Sequence, residues 1–401
     1  MTHPPAAVQR VVHVTRLPPS PSGVAAYAQA FDAVLDVLVG PDGVTVQRLP
    51  ADPAASQSVL LAARLTRRLL RATRRDRASG STVVLVEQAG RGLAEFWSAW
   101  WLARRGRRVW LMVHDVPELS GGAFFSTLLD RRGGRRLAAV LSGSLGRAAE
   151  RDLLARADRV LCLSPAGARA LERAHRLTRS VEAVPHVAAA PSPDALPPTE
   201  RREVLVPGYV AGAADVLALV RAAGGLPAGW TLVIGACSPQ TGRVVHEAAA
   251  AAGVADRVRL LGFLDEAGVR SAFGRAAVVV RWRRDGWGDG GAATGQYAVS
   301  GPLVAAMAHG CAVVTNDTRG AAHLFVAADV RVVGAQEAGE RALLDAVRDL
   351  LADPDQRARR GAAGRALVGR EHTPEAIAAL LRDGTSAPRG VPVGAARREG
   401  D

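Results

Sequence analysis

Short apolar runs alternate with helix-period segments along most of this chain of 401 residues. The apolar runs are rich in Val, Ile and Leu and contain few polar positions, which is typical of strands buried on both faces of a parallel sheet. The segments between them repeat their apolar positions with the period of an α-helix, near 24–37, 58–75, 92–105, 137–156 and 165–175. In the first half the predicted strands are VVHV (11–14), VTVQRL (44–49), TVVLVE (82–87), VWLMVH (109–114), RVLCLS (159–164) and VEAVP (181–185).

The alternation is interrupted by VAAAPSPDALPPTERR (187–202), which is rich in Pro and Ala, has no periodicity and is typical of a linker. It then resumes with the strands EVLVPGYV (203–210), WTLVIGAC (230–237), VRLLGFL (258–264), AAVVVRW (276–282), CAVVTN (311–316) and VRVVG (330–334). Strand–helix alternation of this kind predicts an α/β protein with two Rossmann-like, doubly wound parallel-sheet domains that face a cleft. We predict the domains at 1–188 and 203–383, with a linker at 189–202 and a disordered tail at 384–401.

The charge is strongly basic, but its origin weakens any conclusion about partners. All 51 basic residues are arginine and the formal net charge is +13, and this composition is typical of a GC-rich genome. Without a nucleic-acid-binding motif or interleaved aromatic residues, we expect no nucleic acid partner. Residues 1–200 carry 27 Arg against 17 acidic residues, and the remainder 24 against 21. The Arg clusters RLTRRLLRATRRDR (64–77) and RRGGRR (131–136) therefore suit either an anionic membrane surface or ordinary contact with water.

Cysteine usage and the absence of long apolar stretches favour a cytoplasmic location. Cys162, Cys237 and Cys311 lie far apart in apolar runs, without metal-ligand spacing, so we expect reduced thiols and no metal site. The N-terminal residues lack a signal-peptide pattern, and arginines interrupt every apolar stretch before it could span a membrane. Peripheral attachment to the inner face of the membrane stays open.

Two segments of the first half have candidate ligand-binding residues. Ser22 and Gly23 follow the first strand and open a helix, where backbone amides can approach a ligand, although an ordinary βα turn is an equal alternative. His114 and Asp115 follow the fourth strand, at the sheet edge where such folds bind ligands. The histidine could contact a sugar hydroxyl or move a proton, and the alternative is a structural His–Asp pair.

The second half has candidates for binding a nucleotide diphosphate. Gly208 lies in a turn that phosphate could approach, and Phe263 ends a strand where a nucleobase could rest. Ser300 and Gly301 open a helix after a Gly-rich loop, and free N–H groups there favour an anion. A further set consists of arginines that could pair with a diphosphate or simply contact water, namely Arg281, Arg283 and Arg284.

Taken in order, several segments resemble the two-domain glycosyltransferases of family four, whose fold is called GT-B. The segments are PPSPSGVAAYAQAF, VHDVPEL, ADRVLCLS, VPHV, LVPGYV, GVADRVRLLGFL and PLVAAMAHGCAVV, and they extend over roughly residues 10–380. The resemblance implies a sugar donor bound by the second domain, with UDP- or GDP-sugar favoured. It also implies a glycan, lipid-linked or natural-product acceptor at the first domain, retained anomeric configuration, and neither cofactor nor metal. Under it, His114 is the catalytic candidate and Ser22, Gly23 and Asp115 the acceptor-side candidates.

The chain departs from the family at two places. The family's donor loop has two glutamates, and their positions fall on Tyr297 and Ala305. The family's Lys-Gly pair and upstream Arg are missing, since no basic residue occurs between 203 and 220. A catalytically inactive homologue that acts as a binding partner in glycan assembly is therefore the main alternative. A nucleotide-sugar 2-epimerase is the third reading, with Asp285 and Asp289 as its candidate acids.

Overall fold

The protein forms two compact units, each built around one parallel sheet. The structure, a computed structural model, describes residues 7–17, 23–50, 58–74, 81–89, 92–114, 116–117, 119, 142–210, 212–283, 297, 299–316, 320, 323–324, 330–332 and 339–383. The first unit comprises Met1–Val187, Ala292–Ala298 and Thr373–Gly390, and the second Ala188–Gly291, Val299–His372 and Val391–Asp401. Each is described by itself below.

Within these residues we number twelve strands and twelve α-helices in chain order. The strands are β1 (Arg10–Thr15), β2 (Val44–Arg48), β3 (Thr82–Gln88), β4 (Arg108–Val113), β5 (Arg159–Cys162), β6 (Glu182–Ala183), β7 (Glu203–Val206), β8 (Thr231–Ile234), β9 (Val258–Leu260), β10 (Ala276–Arg281), β11 (Ala312–Thr315) and β12 (Arg331–Val332). The helices are α1 (Gly23–Val39), α2 (Val59–Ala72), α3 (Leu93–Arg104), α4 (Arg147–Arg156), α5 (Pro165–His175), α6 (Leu217–Ala222), α7 (Pro239–Ala251), α8 (Glu266–Arg275), α9 (Gly301–Ala308), α10 (Gly339–Ala352), α11 (Pro354–Glu371) and α12 (Pro374–Asp383). Each predicted strand overlaps with an observed one, although several observed strands are shorter than predicted.

The first sheet has the strand order β2-β1-β3-β4-β5-β6, and all its pairs are parallel. The order reverses between β1 and β3, where Val12 lies beside Val84. The inner strands are buried along their length, because helices cover both faces of the sheet. The carboxyl ends of β1 and β3 therefore form the switch point at which such sheets bind ligands.

The second sheet has the order β12-β11-β10-β7-β8-β9, again with parallel pairs throughout. This is the dinucleotide-binding order, with its switch point between β7 and β10. Its core holds the apolar side chains of β7, β8, β10 and β11 together with those of α10, Leu343, Ala346, Val347 and Leu350. The predicted fold class, two doubly wound α/β domains of Rossmann type, is confirmed.

Helix α12 differs from the predicted domain division. We place residues up to 383 in the second domain from the sequence, whereas in the structure α12 packs in the first unit. Its apolar face, Ile377, Ala378 and Leu381, is buried. The Arg159 guanidinium donates to the Leu381 carbonyl at 2.5 Å, and Arg382 donates to the Val37 carbonyl at the end of α1. Periodicity predicts a helix here, but it does not indicate which sheet the helix covers.

No helix in the described part of the chain is both long enough and apolar enough to cross a membrane.

Candidate functional site

Two glycine-lined turns meet beside the switch point of the second sheet. Gly208 follows β7 with φ +80°, a conformation that favours glycine. Gly235 follows β8, and its N–H donates to the Val206 carbonyl at 2.8 Å. A Cβ on Gly235 would lie 2.4 Å from the Gly208 carbonyl oxygen, so the two turns touch through backbone alone. A Cβ on Gly208 would lie 3.5 Å from Pro302 Cγ, which places this turn beside the start of α9.

The start of α9 exposes donors that can bind an anion. Ser300 precedes the helix, and its carbonyl accepts the N–H groups of Leu303 at 3.0 Å and Val304 at 3.2 Å. Among the described residues, the N–H groups of Ser300 and Gly301 meet no hydrogen-bond acceptor. Pro302 has no N–H, so these two amides and the positive end of the helix dipole remain for a ligand.

Arg281 brings a positive charge to the same place. It is the last residue of β10, and its Nε donates to Ser300 Oγ at 3.1 Å. This bond orients the guanidinium beside the two amides of the helix start. A guanidinium and backbone N–H groups together suit a phosphate, because both bond to anionic oxygens with charge assistance.

The other two predicted arginines are less informative. Arg283 is held by its backbone, which donates to Asn316 Oδ1 at 3.1 Å and accepts from Asn316 Nδ2 at 2.7 Å. Asn316, which follows β11, thus fixes the direction in which the chain leaves β10. Arg284 lies outside the described residues.

An exposed aromatic pair stands next to the Gly208 turn. Phe263, which follows β9, stacks on Tyr209 with ring centroids 6.2 Å apart and planes inclined by 23°. Phe263 is 72% exposed and Tyr209 51% exposed, which is unusual for side chains that gain from burial. Because Tyr209 directly follows Gly208, this flat apolar surface begins one residue from the phosphate-binding candidates.

Two arginines, the buried Arg201 and the exposed Arg365, hold the opposite end of α9. Arg201 and Arg365 both donate to the His309 carbonyl, at 2.8 Å and 3.1 Å. Positive charges at a helix C-terminus are favourable, and here they fix the helix whose N-terminus carries the candidate residues Ser300 and Gly301. The His309 ring is buried, bonding through Nδ1 to the Ala305 carbonyl at 2.8 Å and through Nε2 to the Ser192 N–H at 3.1 Å. Burial and the neighbouring arginines lower the pKa of His309, which keeps it neutral.

The two positions of the family glutamates carry no acid and serve other purposes. Tyr297 packs against the core of the first unit, and its carbonyl accepts from Ser164 Oγ at 2.6 Å. Ala305 lies within α9, where its carbonyl accepts from His309.

In the first unit, His114 lies just past β4 at the carboxyl edge of the sheet. Its imidazole is 6% exposed and packs edge-on against Tyr27 at 5.0 Å between ring centroids. Its Nε2 is 3.6 Å from Glu87 Oε2, which is too long for a hydrogen bond but close enough for charge attraction.

Glu87 belongs to a buried network that the sequence did not indicate. Its Oε1 bonds to His13 Nε2 at 2.9 Å, and its Oε2 accepts from Thr15 Oγ1 at 2.9 Å. His13 Nδ1 in turn lies 2.9 Å from Asp32 Oδ1. Burial opposes the charge of His13, but the carboxylates of Asp32 and Glu87 outweigh it and raise its pKa to about 9. Burial alone would raise the pKa of Glu87, but the imidazoles of His114 and His13 lower it to about 2.

The remaining acceptor-side candidates are described only in part. Gly23 begins α1. Ser22 and Asp115 lie outside the described residues, as do the epimerase candidates Asp285 and Asp289. No group of three or more His, Cys, Asp or Glu side chains suited to a metal ion occurs in the part of the chain that the structure describes.

The structure thus brings Gly208, Arg281, Ser300 and Gly301 together, with Phe263 beside them through Tyr209. Sequence reasoning missed Tyr209, Asn316, Glu87 and His13. The one available signal was position, because Tyr209, Asn316 and Glu87 all lie at or just after the carboxyl end of a strand.

Comparison with known proteins gives one family-model match, in the second half of the chain, and several solved structures of the same fold. Residues 220–383 match the family model described as "Glycosyl transferase-like". No curated protein sequence matches the chain. HepE from Anabaena, solved with UDP and glucose, superposes with a TM-score of 0.63 at 13% identity, over 94% of this chain and 99% of that one.

Two further solved structures share the fold. Sucrose-phosphate synthase from Thermosynechococcus elongatus has a TM-score of 0.59 at 19% identity, over 93% of this chain and 97% of its own. A putative UDP-N-acetylglucosamine 2-epimerase from Listeria monocytogenes has a TM-score of 0.55 at 13% identity, over 94% of this chain and 95% of its own. At such identities the likeness concerns the fold, and the predicted resemblance to GT-B glycosyltransferases is confirmed at that level and by the family model.

Proposed function

We propose that this protein is a glycosyltransferase that moves a sugar from a nucleotide-sugar donor to a glycan, glycolipid or natural-product acceptor. The observation that carries the proposal is the Arg281–Ser300 contact at the start of α9, beside the switch point of the second sheet. A guanidinium, two amides without an acceptor among the described residues and a helix N-terminus converge there. That combination binds the diphosphate of a sugar nucleotide, and the family match covers the same part of the chain.

The donor we favour is a UDP-sugar, with a GDP-sugar next. The pair of Tyr209 and Phe263 supplies a surface on which a base can stack. HepE, which shares the fold, is solved with UDP and glucose. Gly208 lets the backbone pass close to the ribose or phosphates, and Arg283 and Arg284 follow Arg281 on the chain as further cations.

The chemistry needs no protein nucleophile. The bond between the anomeric carbon and the phosphate oxygen breaks, and a bond to the acceptor oxygen forms. The acceptor's proton passes to the departing phosphate. Negative charge grows on the leaving diphosphate, and Arg281 with the amides of Ser300 and Gly301 stabilises it, so that their interactions strengthen in the transition state. The resemblance implies retention at the anomeric carbon and no metal, and it assigns the acceptor to the first unit.

On the first unit, His114 is the catalytic candidate. Its position after β4, its small remaining exposure and the adjacent charge of Glu87 suit a group that bonds a sugar hydroxyl. Ser22, Gly23 and Asp115 are proposed to line the acceptor side with it.

We further propose a cytoplasmic enzyme that meets a lipid-linked acceptor at the inner face of the membrane. Helix α2 carries Arg64, Arg67, Arg68 and Arg71, while its opposite face buries Ala62, Leu65 and Leu69. A basic amphipathic helix of this kind suits anionic lipid headgroups.

Two other functions have specific observations in their favour. Tyr297 and Ala305 in place of acids, and no basic residue between 203 and 220, favour an inactive homologue that binds a partner in glycan assembly. The fold likeness to a putative 2-epimerase favours that activity less, because glycosyltransferases share the same fold.

One experiment distinguishes the three candidate functions, namely transferase, inactive homologue and epimerase. The protein is incubated with UDP, GDP, dTDP and ADP and their common sugars, and melting temperature, free nucleotide and sugar configuration are followed. A transferase is stabilised by one nucleotide. It also slowly transfers the sugar of the matching sugar nucleotide to water, which sets that nucleotide free. An epimerase converts UDP-N-acetylglucosamine to its 2-epimer with UDP still attached, and an inactive homologue does neither. No stabilisation by any nucleotide at millimolar concentration would contradict the donor site.

A further inference from the structure

The carboxylate of Glu87 is buried and charged, and it is one of two carboxylates that bond the single imidazole of His13. Its side chain is about 1% exposed, and removing a charge from water costs several kcal/mol unless partners compensate for it. His13 is such a partner, but Asp32 already bonds the other nitrogen of that ring. One carboxylate would neutralise one imidazolium, so the second needs another explanation.

The charges of the cluster do not cancel without a further cation or donor. With His13 protonated, two carboxylates and one imidazolium leave one negative charge, and Thr15 donates only a neutral hydrogen bond. The remaining group near Glu87 Oε2 is His114 Nε2, at 3.6 Å. Among the described residues that nitrogen has no hydrogen-bond partner, although it is buried. A small movement of either side chain would bring the pair to bonding distance.

Other contacts restrict the ring of His114 without competing for its proton. Tyr27 packs edge-on against it, and the same tyrosine packs edge-on against His186 at 4.9 Å. Burial and then the charge of Glu87 raise the pKa of Tyr27 well above its usual value, so its phenol stays neutral. His186 Nδ1 is within 2.8 Å of the Val187 carbonyl. Glu87 is therefore the charged group that faces Nε2 among the described residues.

We propose that Glu87 is a positioning residue for His114: it holds the imidazole with its proton on Nε2 and so leaves Nδ1 to accept a hydrogen bond from a sugar hydroxyl. A carboxylate beside one ring nitrogen selects the tautomer protonated there, and the opposite nitrogen keeps the lone pair that accepts a hydrogen bond. His13 and Thr15 hold the two oxygens of Glu87 in place. The effect on turnover rests on the function proposed above, whereas the tautomer does not.

The chain offers a matched control. Asp32 and Glu87 both bond His13 at 2.9 Å, but only Glu87 approaches His114. Asp32→Asn and Glu87→Gln thus each remove one carboxylate from His13, and only the second removes the carboxylate from His114. In Glu87→Gln, the glutamine oxygen accepts from His13 and its NH₂ group takes the place of Oε2. That group is a donor toward His114 Nε2 and favours the opposite tautomer.

The test combines ¹⁵N NMR of histidine-labelled protein with UDP release from UDP-glucose, using water as the acceptor. His114→Asn assigns the His114 signals. We expect the Nε2–H tautomer in the unsubstituted protein and in Asp32→Asn, and a shift toward Nδ1–H in Glu87→Gln. We also expect kcat to fall by about 10-fold or more in Glu87→Gln, with KM for UDP-glucose changed less than about threefold, and kcat retained in Asp32→Asn.

Several outcomes overturn the proposal. The proposal is overturned if His114 has the same tautomer in Glu87→Gln as in the unsubstituted protein. It is also overturned if Asp32→Asn shifts the His114 tautomer as much as Glu87→Gln does. A shifted tautomer with unchanged kcat removes the catalytic part of the inference and leaves the donor site intact. If the unsubstituted protein releases no UDP, the proposed function fails for this donor, while the NMR result still decides the contact. If Glu87→Gln does not fold, Glu87→Asp replaces it, because it keeps the charge but is one methylene shorter and so moves the carboxylate away from His114 Nε2; a partial shift toward the Nδ1–H tautomer is then expected, and no shift would overturn the proposal.

Discussion

The contact between the Gly208 and Gly235 turns gives a prediction that links a packing defect to ligand binding. Gly235→Ala adds a Cβ that would lie 2.4 Å from the Gly208 oxygen, 3.0 Å from the Gly208 nitrogen and 3.2 Å from the Val206 oxygen. Ordinary contact begins at 3.4 Å, so the Gly208 carbonyl has to move by about 1 Å. All three neighbours are backbone atoms, and no side chain can turn away to absorb the change.

The displacement has two measurable consequences. Forcing a group into packed backbone costs about 1–3 kcal/mol of the free energy of unfolding. The Gly208 turn also carries Tyr209 and lies beside Pro302. Its movement therefore disturbs both the stacked pair of Tyr209 and Phe263, here called the base platform, and the start of α9. We therefore expect the affinity for UDP to fall by about 10-fold, which corresponds to about 1.4 kcal/mol.

Denaturant unfolding and isothermal titration calorimetry with UDP measure the two effects, on protein that remains folded. The control is Gly225→Ala, in which the added Cβ meets nothing within 4 Å. We expect this control to keep both stability and UDP affinity. Loss of stability with unchanged UDP affinity would show that the Gly208 turn is not part of the donor site. Unchanged stability would refute the close approach of the two turns.

Three further predictions concern the base platform, the buried network and the far end of α9. Phe263→Ala should weaken UDP binding by about 2- to 10-fold, as calorimetry measures, with little change in melting temperature because the side chain is 72% exposed. His13 has a pKa raised to about 9, so its stabilising contribution is complete below the unfolded value of 6.5 and is lost as pH rises through 9. Denaturant unfolding should therefore show that the stability difference between the unsubstituted protein and His13→Gln shrinks by up to about 3 kcal/mol between pH 6 and pH 10. A constant difference would contradict the charged network. Arg201→Met should lower the free energy of unfolding by about 2–4 kcal/mol, because the buried His309 carbonyl and the Leu196 carbonyl lose a charged donor, and a loss below 1 kcal/mol would contradict this role.

The sequence was sufficient for the sheet strands and for several residues of the proposed donor site. Buried parallel strands are continuous apolar runs, so their positions are local information, and the residues just after them are the expected ligand-binding positions. Gly208, Arg281 and Ser300 were found in this way. The contact between Arg281 and Ser300 spans the Gly-rich loop, and the topology of the sheet brings its two residues together.

What the sequence did not indicate depends on contacts between distant residues. From the sequence, Glu87 is predicted only to end a strand. Its contact with His13, which lies 74 residues earlier, forms because β1 and β3 are neighbours in the sheet. Tyr209 and Phe263 are separated by two strands and two helices, so their stacking has no local signal. Helix α12 has the expected period, but whether it packs on one sheet or the other depends on tertiary contacts with α1 and β5.

The central claim is that Arg281 and the start of α9 hold the diphosphate of the donor. Calorimetry with UDP tests it most directly on the unsubstituted protein, Arg281→Gln and Arg275→Gln. The two arginines flank the same strand, Arg281 at the carboxyl end of β10 and Arg275 just before its amino end, where it pairs with Glu203 at 3.1 Å. We predict that Arg281→Gln weakens UDP binding by about 10-fold or more, as expected for a lost charged hydrogen bond, and that Arg275→Gln binds UDP as the unsubstituted protein does. Equal affinities in all three proteins, or no UDP binding by the unsubstituted protein at millimolar concentration, would contradict the claim.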